Sequence, residues 1–234
     1  MTAEKLTTIA ENTPKVYNQG FEDGKNSVVV IPFDRNLKTA TFTSLNMFGK
    51  KEVELNFDSI TTGFMNLFSI DNADNANTTV EYLTINTPSN IITIQGMLYC
   101  SNASRDYVLK RVTLNFDTKN CTNFQHAFTN QQALETVDGT PLDMSAVTVA
   151  SRTGAFTITP ALKEVRFVKE SIPLNISFAQ SANLSTETIQ SIIDGLADLT
   201  GSTAQTLTLH STVGGKLTDE QKATITAKNW TLVY

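Results

Sequence analysis

Residues 162–167 read LKEVRF, residues 109–116 read LKRVTLNF, and residues 134–139 read LETVDG. One chain thus returns three times to Leu, two mostly charged residues, then Val. Extended, the stretch becomes an apolar residue, two variable residues, an apolar residue, one variable residue and a last apolar residue. It holds at Leu109, Val112 and Leu114, at Leu162, Val165 and Phe167, and at Val80, Leu83 and Ile85. It holds at Val53 and Leu55 with Lys50 in first place, and at Leu134 and Val137 with Gly139 in last place. The central residues Val53, Leu83, Val112, Val137 and Val165 follow one another at intervals of 30, 29, 25 and 28. A period of about 28 lies within the range of a leucine-rich solenoid.

Evenly spaced strands would also suit a β-sandwich, but a second mark keeps the same period. Phe68, Leu98, Phe128, Phe156 and Phe178 each trail a strand position by a dozen or more residues. Both marks follow if each coil sends alternate residues of a short strand inward. The return path then drops one large apolar side chain into the same core. The expected fold is α/β: a leucine-rich-repeat solenoid of about five coils, one short parallel strand each, over residues 51–184.

The composition agrees. Of 234 residues, 40% are hydrophobic and 18% charged, and much of the remainder is Thr, Ser and Asn, which favour strands and turns over long helices. A net charge of −5, a pI near 5.1 and no run of Lys or Arg exclude a nucleic-acid or lipid-headgroup surface. The opening MTAEKLTTIAENTPKVY has no apolar core of a secretory signal, and no stretch approaches the ~20 apolar residues of a membrane span. Synthesis in a cytoplasm, without membrane insertion, is the expectation. Cys100 and Cys121 can pair or stay reduced, and the missing signal favours two buried thiols.

The two ends depart from the repeat. From Ser185 to residue 234 a closing unit is expected. Ile189, Ile192, Ile193, Leu196 and Leu199 fall at helical spacing, with Ser185 as N-cap and Gly201 just past the end. Thr206–His210 alternates like a strand, Thr218 with Gln221 makes a capping box, and Asn229–Tyr234 reads as a last strand. At the other end, Leu6, Ile9, Thr13, Val16 and Gly20 form a thin seam interrupted by Pro14. Residues 1–25 are read as a helical segment for attachment or homo-oligomerisation, with packing back on the first coil as the alternative. Residues 26–50, with SVVVIPF from Ser27 and TATFTSL from Thr39, are read as a cap on the first coil.

Catalytic chemistry is hard to assemble. His126 and His210 are the two histidines, and neither has metal-ligand spacing to a cysteine. Asp71–Thr78, DNADNANT, resembles a calcium loop but has Ala73 where an acidic or amide residue is wanted and lacks the glycine. There is no phosphate loop, nucleophile elbow or carboxylate pair in an apolar setting. A non-enzymatic protein without cofactor or metal is expected.

LETVDGTPLDMS followed by LKEVRF, with a recurrent Phe after Asn-, Thr- and Ser-rich turns, resembles the bacterial-surface leucine-rich repeats of the BspA-like type. The run from Leu184 to Tyr234 and the opening EKLTTIAENTPKVYNQGFEDGK are similar to the ends of proteins encoded among tail and virion genes of phages of gut Firmicutes. The asparagine ladder of standard leucine-rich repeats is absent. The resemblance implies a virion protein of the tail or baseplate, joined to other virion proteins through residues 1–25. Its partner would be a bacterial surface protein or glycan. A decorative spacer and a bacterial adhesin are the alternatives. The repeat leaves Glu54, Asn56, Thr84, Asn86, Thr113, Asn115, Asp138, Arg166 and Val168 facing outward. That polar set suits recognition by many modest hydrogen bonds.

Overall fold

The computed structural model describes residues 29–33, 37–39, 51–57, 60–64, 67, 80–88, 90–99 and 108–234. The amino-terminal seam, most of the 26–50 cap, the Asp71–Thr78 loop, Phe68, Lys50 and Cys100 lie outside the described residues.

The chain is α/β, with a parallel sheet and short helices. Its first strands are β1 (Val29–Phe33), β2 (Leu37–Thr39), β3 (Glu52–Phe57), β4 (Ile60–Gly63) and β5 (Tyr82–Asn86). β6 (Arg111–Asn115), β7 (Thr136–Leu142) and β8 (Glu164–Phe167) follow. The six strands β1, β3, β5, β6, β7 and β8 lie side by side in chain order, every neighbouring pair parallel. The residues read as central in the repeat are register partners: Val53 opposes Leu83, Leu83 opposes Val112, Val112 opposes Val137, and Val137 opposes Val165. β1 extends this row, because Val29 opposes Val53. Residues 29–33 therefore form a further rung of the sheet.

Alternation explains the packing. β3 and β5 bury every second side chain, and Val53, Leu55, Leu83, Ile85, Val112 and Leu114 are all within 1% of full burial. Each such side chain contributes about 1.5–3 kcal/mol relative to exposure. A second ladder faces the sheet across the core. β2 pairs with β4, Gly63 bridges to Thr93, and Thr93 bridges to Asn123. Further along, the amides of Phe124, His126 and Phe128 donate to the carbonyls of Arg152, Gly154 and Ala155 at 2.9, 2.9 and 3.0 Å. The trailing apolar residues land in this core, with Leu98, Phe128, Phe156 and Phe178 all buried. Phe156 stacks between Phe128 and Phe178 at centroid distances of 5.2 and 5.1 Å. A second aromatic group, Phe57, Phe64 and Phe116, has centroids 5.0 and 5.2 Å apart.

The repeat pattern is corrected at β7. Gly139 opposes Leu114 but fills no apolar place; the register then shifts, and Leu142 opposes Phe167 as the buried residue. Gly139 has φ +90°, and a Cβ there would stand 2.4 Å from the Leu114 carbonyl oxygen. Only glycine tolerates that conformation and that approach. Pro141, which cannot donate to a ladder, sits in the irregular stretch.

The closing unit contains β9 (Ile176–Phe178), α1 (Thr186–Gly195), β10 (Gln205–Leu209), α2 (Ser211–Gly214), α3 (Asp219–Ala227) and β11 (Trp230–Val233). β9, β10 and β11 form a second parallel sheet in chain order. α1 takes the place beside β8 that a further strand would hold. The amide of Ser185 donates to the Lys163 carbonyl at 2.9 Å, as the strand-entry residues before it do. The edge amides of Val165 and Phe167 donate to the hydroxyls of Thr188 and Ser191 at 3.1 and 2.9 Å.

Ser185 caps α1 as expected, accepting from the Thr188 amide, and both bonds of the Thr218–Gln221 capping box form. The helix stops at Gly195, short of the expected end before Gly201. Leu196 is extended and bridges to Ile172. The Lys228 ammonium donates to the carbonyls of Ile193, Asp194 and Leu196 at 3.0, 3.1 and 2.7 Å, satisfying the helix end from another element.

Two stability tests follow from this arrangement. Gly139→Ala should cost about 1–3 kcal/mol of backbone strain in urea denaturation. Thr188→Val keeps the volume but orphans the Val165 amide, and should cost about 1–3 kcal/mol by the same measurement.

Candidate functional site

The outward side of the sheet carries three rows set by the register. Glu52, Tyr82, Arg111, Thr136 and Glu164 oppose one another in the first row. Glu54, Thr84, Thr113 and Asp138 form the second, and Asn56, Asn86 and Asn115 the third. Arg166 and Val168 are exposed at the β8 end, beyond the irregular part of β7. All the residues read from sequence as outward therefore lie on one face. The β7 shift separates Arg166 from the regular rows.

The third row is bonded along its length. Asn115 Nδ2 donates to Asn86 Oδ1 at 2.7 Å, and Asn86 Nδ2 donates to Asn56 Oδ1 at 2.6 Å and to Glu54 Oε1 at 2.7 Å. An asparagine ladder does exist here, on the solvent face of the sheet. Beside it Thr113 Oγ1 donates to Asp138 Oδ1 at 2.6 Å, and Arg111 Nε lies 3.5 Å from Asp138 Oδ2. The signal for the ladder was the recurrence of Asn directly after the core residues Leu55, Ile85 and Leu114, in LNF, INT and LNF.

One residue before the strands runs a rail of charge. Lys51, Glu81, Lys110, Glu135 and Lys163 stack in turn, each amide after the first donating to the carbonyl of the residue before it at 2.7–2.8 Å. The signs alternate. Lys51 and Lys110 each lie 2.7 Å from Glu81, and Lys163 lies 2.9 Å from Glu135. Hydrogen bonds from Lys110 and then Lys51 lower the Glu81 carboxyl to a pKa of about 2, and Glu81 in turn raises that of Lys110. This accounts for the first charged residue after Leu in the opening pattern: neighbouring rungs need opposite signs. These cations are engaged by carboxylates, which leaves them poorly suited to an anionic ligand.

The remaining polar chemistry is structural. His126 lies against the Tyr99 ring at 5.4 Å and contacts Thr129 Oγ1 at 3.3 Å. His210 caps α2, its Nδ1 accepting from the Thr212 amide at 3.2 Å. Cys121 is buried, and burial pushes its thiol up to about 11, far from reactive. Among the described residues no cluster of three His, Cys, Asp or Glu could hold a metal, and no helix is long and apolar enough to cross a membrane. A groove of about 550 Å³ opens between β8 and α1, beside Phe167, Lys169, Glu187 and Gln190. Two of its polar side chains are engaged elsewhere: Ser191 holds the Phe167 amide, and Gln190 donates to Asp194 and accepts from Gln221.

The Glu81 rail has a pH signature. The carboxyl is depressed in the fold, so its contribution is fully present above the unfolded carboxylate pKa and is lost as pH falls towards 2. The stability difference between the wild type and Glu81→Gln should be constant above about pH 5 and shrink steadily below it. Paired thermal melts across that range would check it.

Compared with protein families, with curated proteins and with solved structures, the chain has no significant match.

Proposed function

We propose that this chain is a leucine-rich-repeat solenoid of the BspA-like kind that acts by recognition, without catalysis, through the outward face of its parallel sheet. Its partner is a bacterial surface protein or glycan, and its setting is the tail or baseplate of a phage virion. Residues 1–25 would join it to other virion proteins. The observation that carries the recognition reading is the registered asparagine row. Three planar amides, held at sheet spacing by their own hydrogen bonds, form a rigid polar comb beside Thr84 and Thr113. Such a surface is pre-organised, so a partner pays little ordering entropy to bind it. The virion setting rests on the similarity of the two ends of the sequence to phage proteins.

Binding of fluorescently labelled protein to a panel of gut Firmicutes strains tests the reading. The wild type should bind at least one strain saturably, and Asn86→Ala with Asn115→Ala should weaken that binding about tenfold or more, which corresponds to ~1.4 kcal/mol. Absence of binding to every strain would overturn recognition and leave the role of a rigid spacer. Tail genes flanking its own gene would support the virion setting, and their absence would remove it.

A further inference from the structure

We infer, resting on that recognition reading, that the sheet face takes an uncharged glycan, with Tyr82 as the platform for a sugar ring and the asparagine row as its polar partners. Tyr82 points outward from β5, 41% exposed, between Glu52 and Arg111 in its row. It is the one exposed aromatic ring on this face among the described residues. Further along β5 and β6, beyond Arg111, the outward positions are Thr84, Asn86, Thr113 and Asn115, all neutral.

Charge selects the partner class. The cations near the middle of the face are already engaged: Arg111 with Asp138, and Lys51 and Lys110 with Glu81. A sulfated, phosphorylated or sialylated ligand at the middle of the face would compete with those carboxylates, and Arg166, the outward cation with no ion pair among the described residues, stands apart at the β8 end. A neutral ligand breaks nothing. Apolar content separates glycan from protein. Protein interfaces place an apolar, largely dehydrated core around several aromatic or Arg anchors. This face offers one ring, with Val168 its other exposed large apolar side chain and that at the far end of the sheet. A sugar has an apolar face of C–H groups and a rim of hydroxyls. The Tyr82 ring suits the first, and the asparagine row, two rows or ~13 Å further along the strands, suits the hydroxyls of a neighbouring sugar in an oligosaccharide. Asn115 spends one amide hydrogen on Asn86. Its carbonyl and second hydrogen form a donor–acceptor pair for a hydroxyl rim.

The full chain should be applied to an array of neutral, sialylated and sulfated oligosaccharides, and in parallel to bacterial cells treated with protease or with periodate. Binding should fall on neutral sugars and be lost from periodate-treated cells. Tyr82→Ala should lose about tenfold or more in affinity. Tyr82→Phe, which keeps the ring, should bind like wild type, and so should Ile92→Ala, an exposed change on the opposite ladder. Binding confined to acidic sugars, or indifferent to Tyr82→Ala, would overturn the glycan assignment. So would binding abolished by protease and spared by periodate, an outcome that leaves recognition itself standing. No binding to array or cells would overturn both.

Discussion

No parallel strand can satisfy its own amides, and every strand of the main sheet meets that need by pairing with the strand one period away. The intervals of 25 to 30 residues between central residues are the chain length that returns a strand to its neighbour in register. Register is held by burial, because a slip of one residue would turn Val53, Leu83 and Val112 to solvent and bring Glu54, Thr84 and Thr113 into the core. Everything repeated in the molecule follows from this stacking. Rungs lie about 4.8 Å apart, so each side chain sits over its counterpart in the next rung. Apolar residues tolerate that and become rows of Val, Leu and Phe. Amides tolerate it and become the asparagine ladder. Like charges do not, and the rail accordingly alternates Lys, Glu, Lys, Glu, Lys.

A stack of this kind must end, and an open edge would invite another chain. The chain ends its main sheet at β8 by exchanging the strand for a helix while keeping the period. Leu207 pairs with Ile176 thirty-one residues before it, and Leu232 with Leu207 twenty-five before it. The closing unit is thus continuous with the repeat in spacing but different in which side carries strands. α1 carries Thr188 and Ser191 three residues apart, on one helical face, and their hydroxyls meet amides two residues apart on β8. Three further contacts fasten the unit: the Lys228 ammonium at the end of α1, Trp230 Nε1 on the Ala197 carbonyl, and Asn229 Nδ2 on the carbonyls of Leu199 and Ser202.

What could be read from sequence was whatever repeats or follows local capping chemistry. The central row from Val53 to Val165, the trailing Phe128, Phe156 and Phe178, the Ser185 cap and the Thr218–Gln221 box depend on spacing and residue type alone. The misreadings have a common origin in contacts between distant residues. Gly139 looked like a missing apolar residue because the β7 irregularity hands its place to Leu142 only through pairing with Phe167. α1 ends early where Leu196 turns extended to bridge Ile172 and Lys228 meets the last helical carbonyls. Val29–Phe33 was legible as a strand next to the first coil, whereas its register against Val53 was not, since no spacing marks it. The outward residues were legible as a set, whereas their bonds to one another were not, since alternation says which way a side chain points and nothing about what it meets.

Those bonds bear on what the face can be used for. In water an isolated asparagine amide samples several rotamers, and ordering it on binding costs free energy. In the ladder Asn86 has both amide hydrogens and its carbonyl engaged, so its plane is set before any partner arrives. The polarity runs one way, each amide donating towards β3, so the dipoles of the three groups reinforce one another. The interior of the row is thereby saturated, and unspent capacity lies at its two ends, on the amide of Asn56 and on Asn115, the latter beside Thr113 and two rows from Arg111. On the proposed recognition reading the repeat supplies a fixed comb, and selectivity would come from the positions where the stacking rule is relaxed: Tyr82, the one exposed ring of this face among the described residues, and the open amide at Asn115.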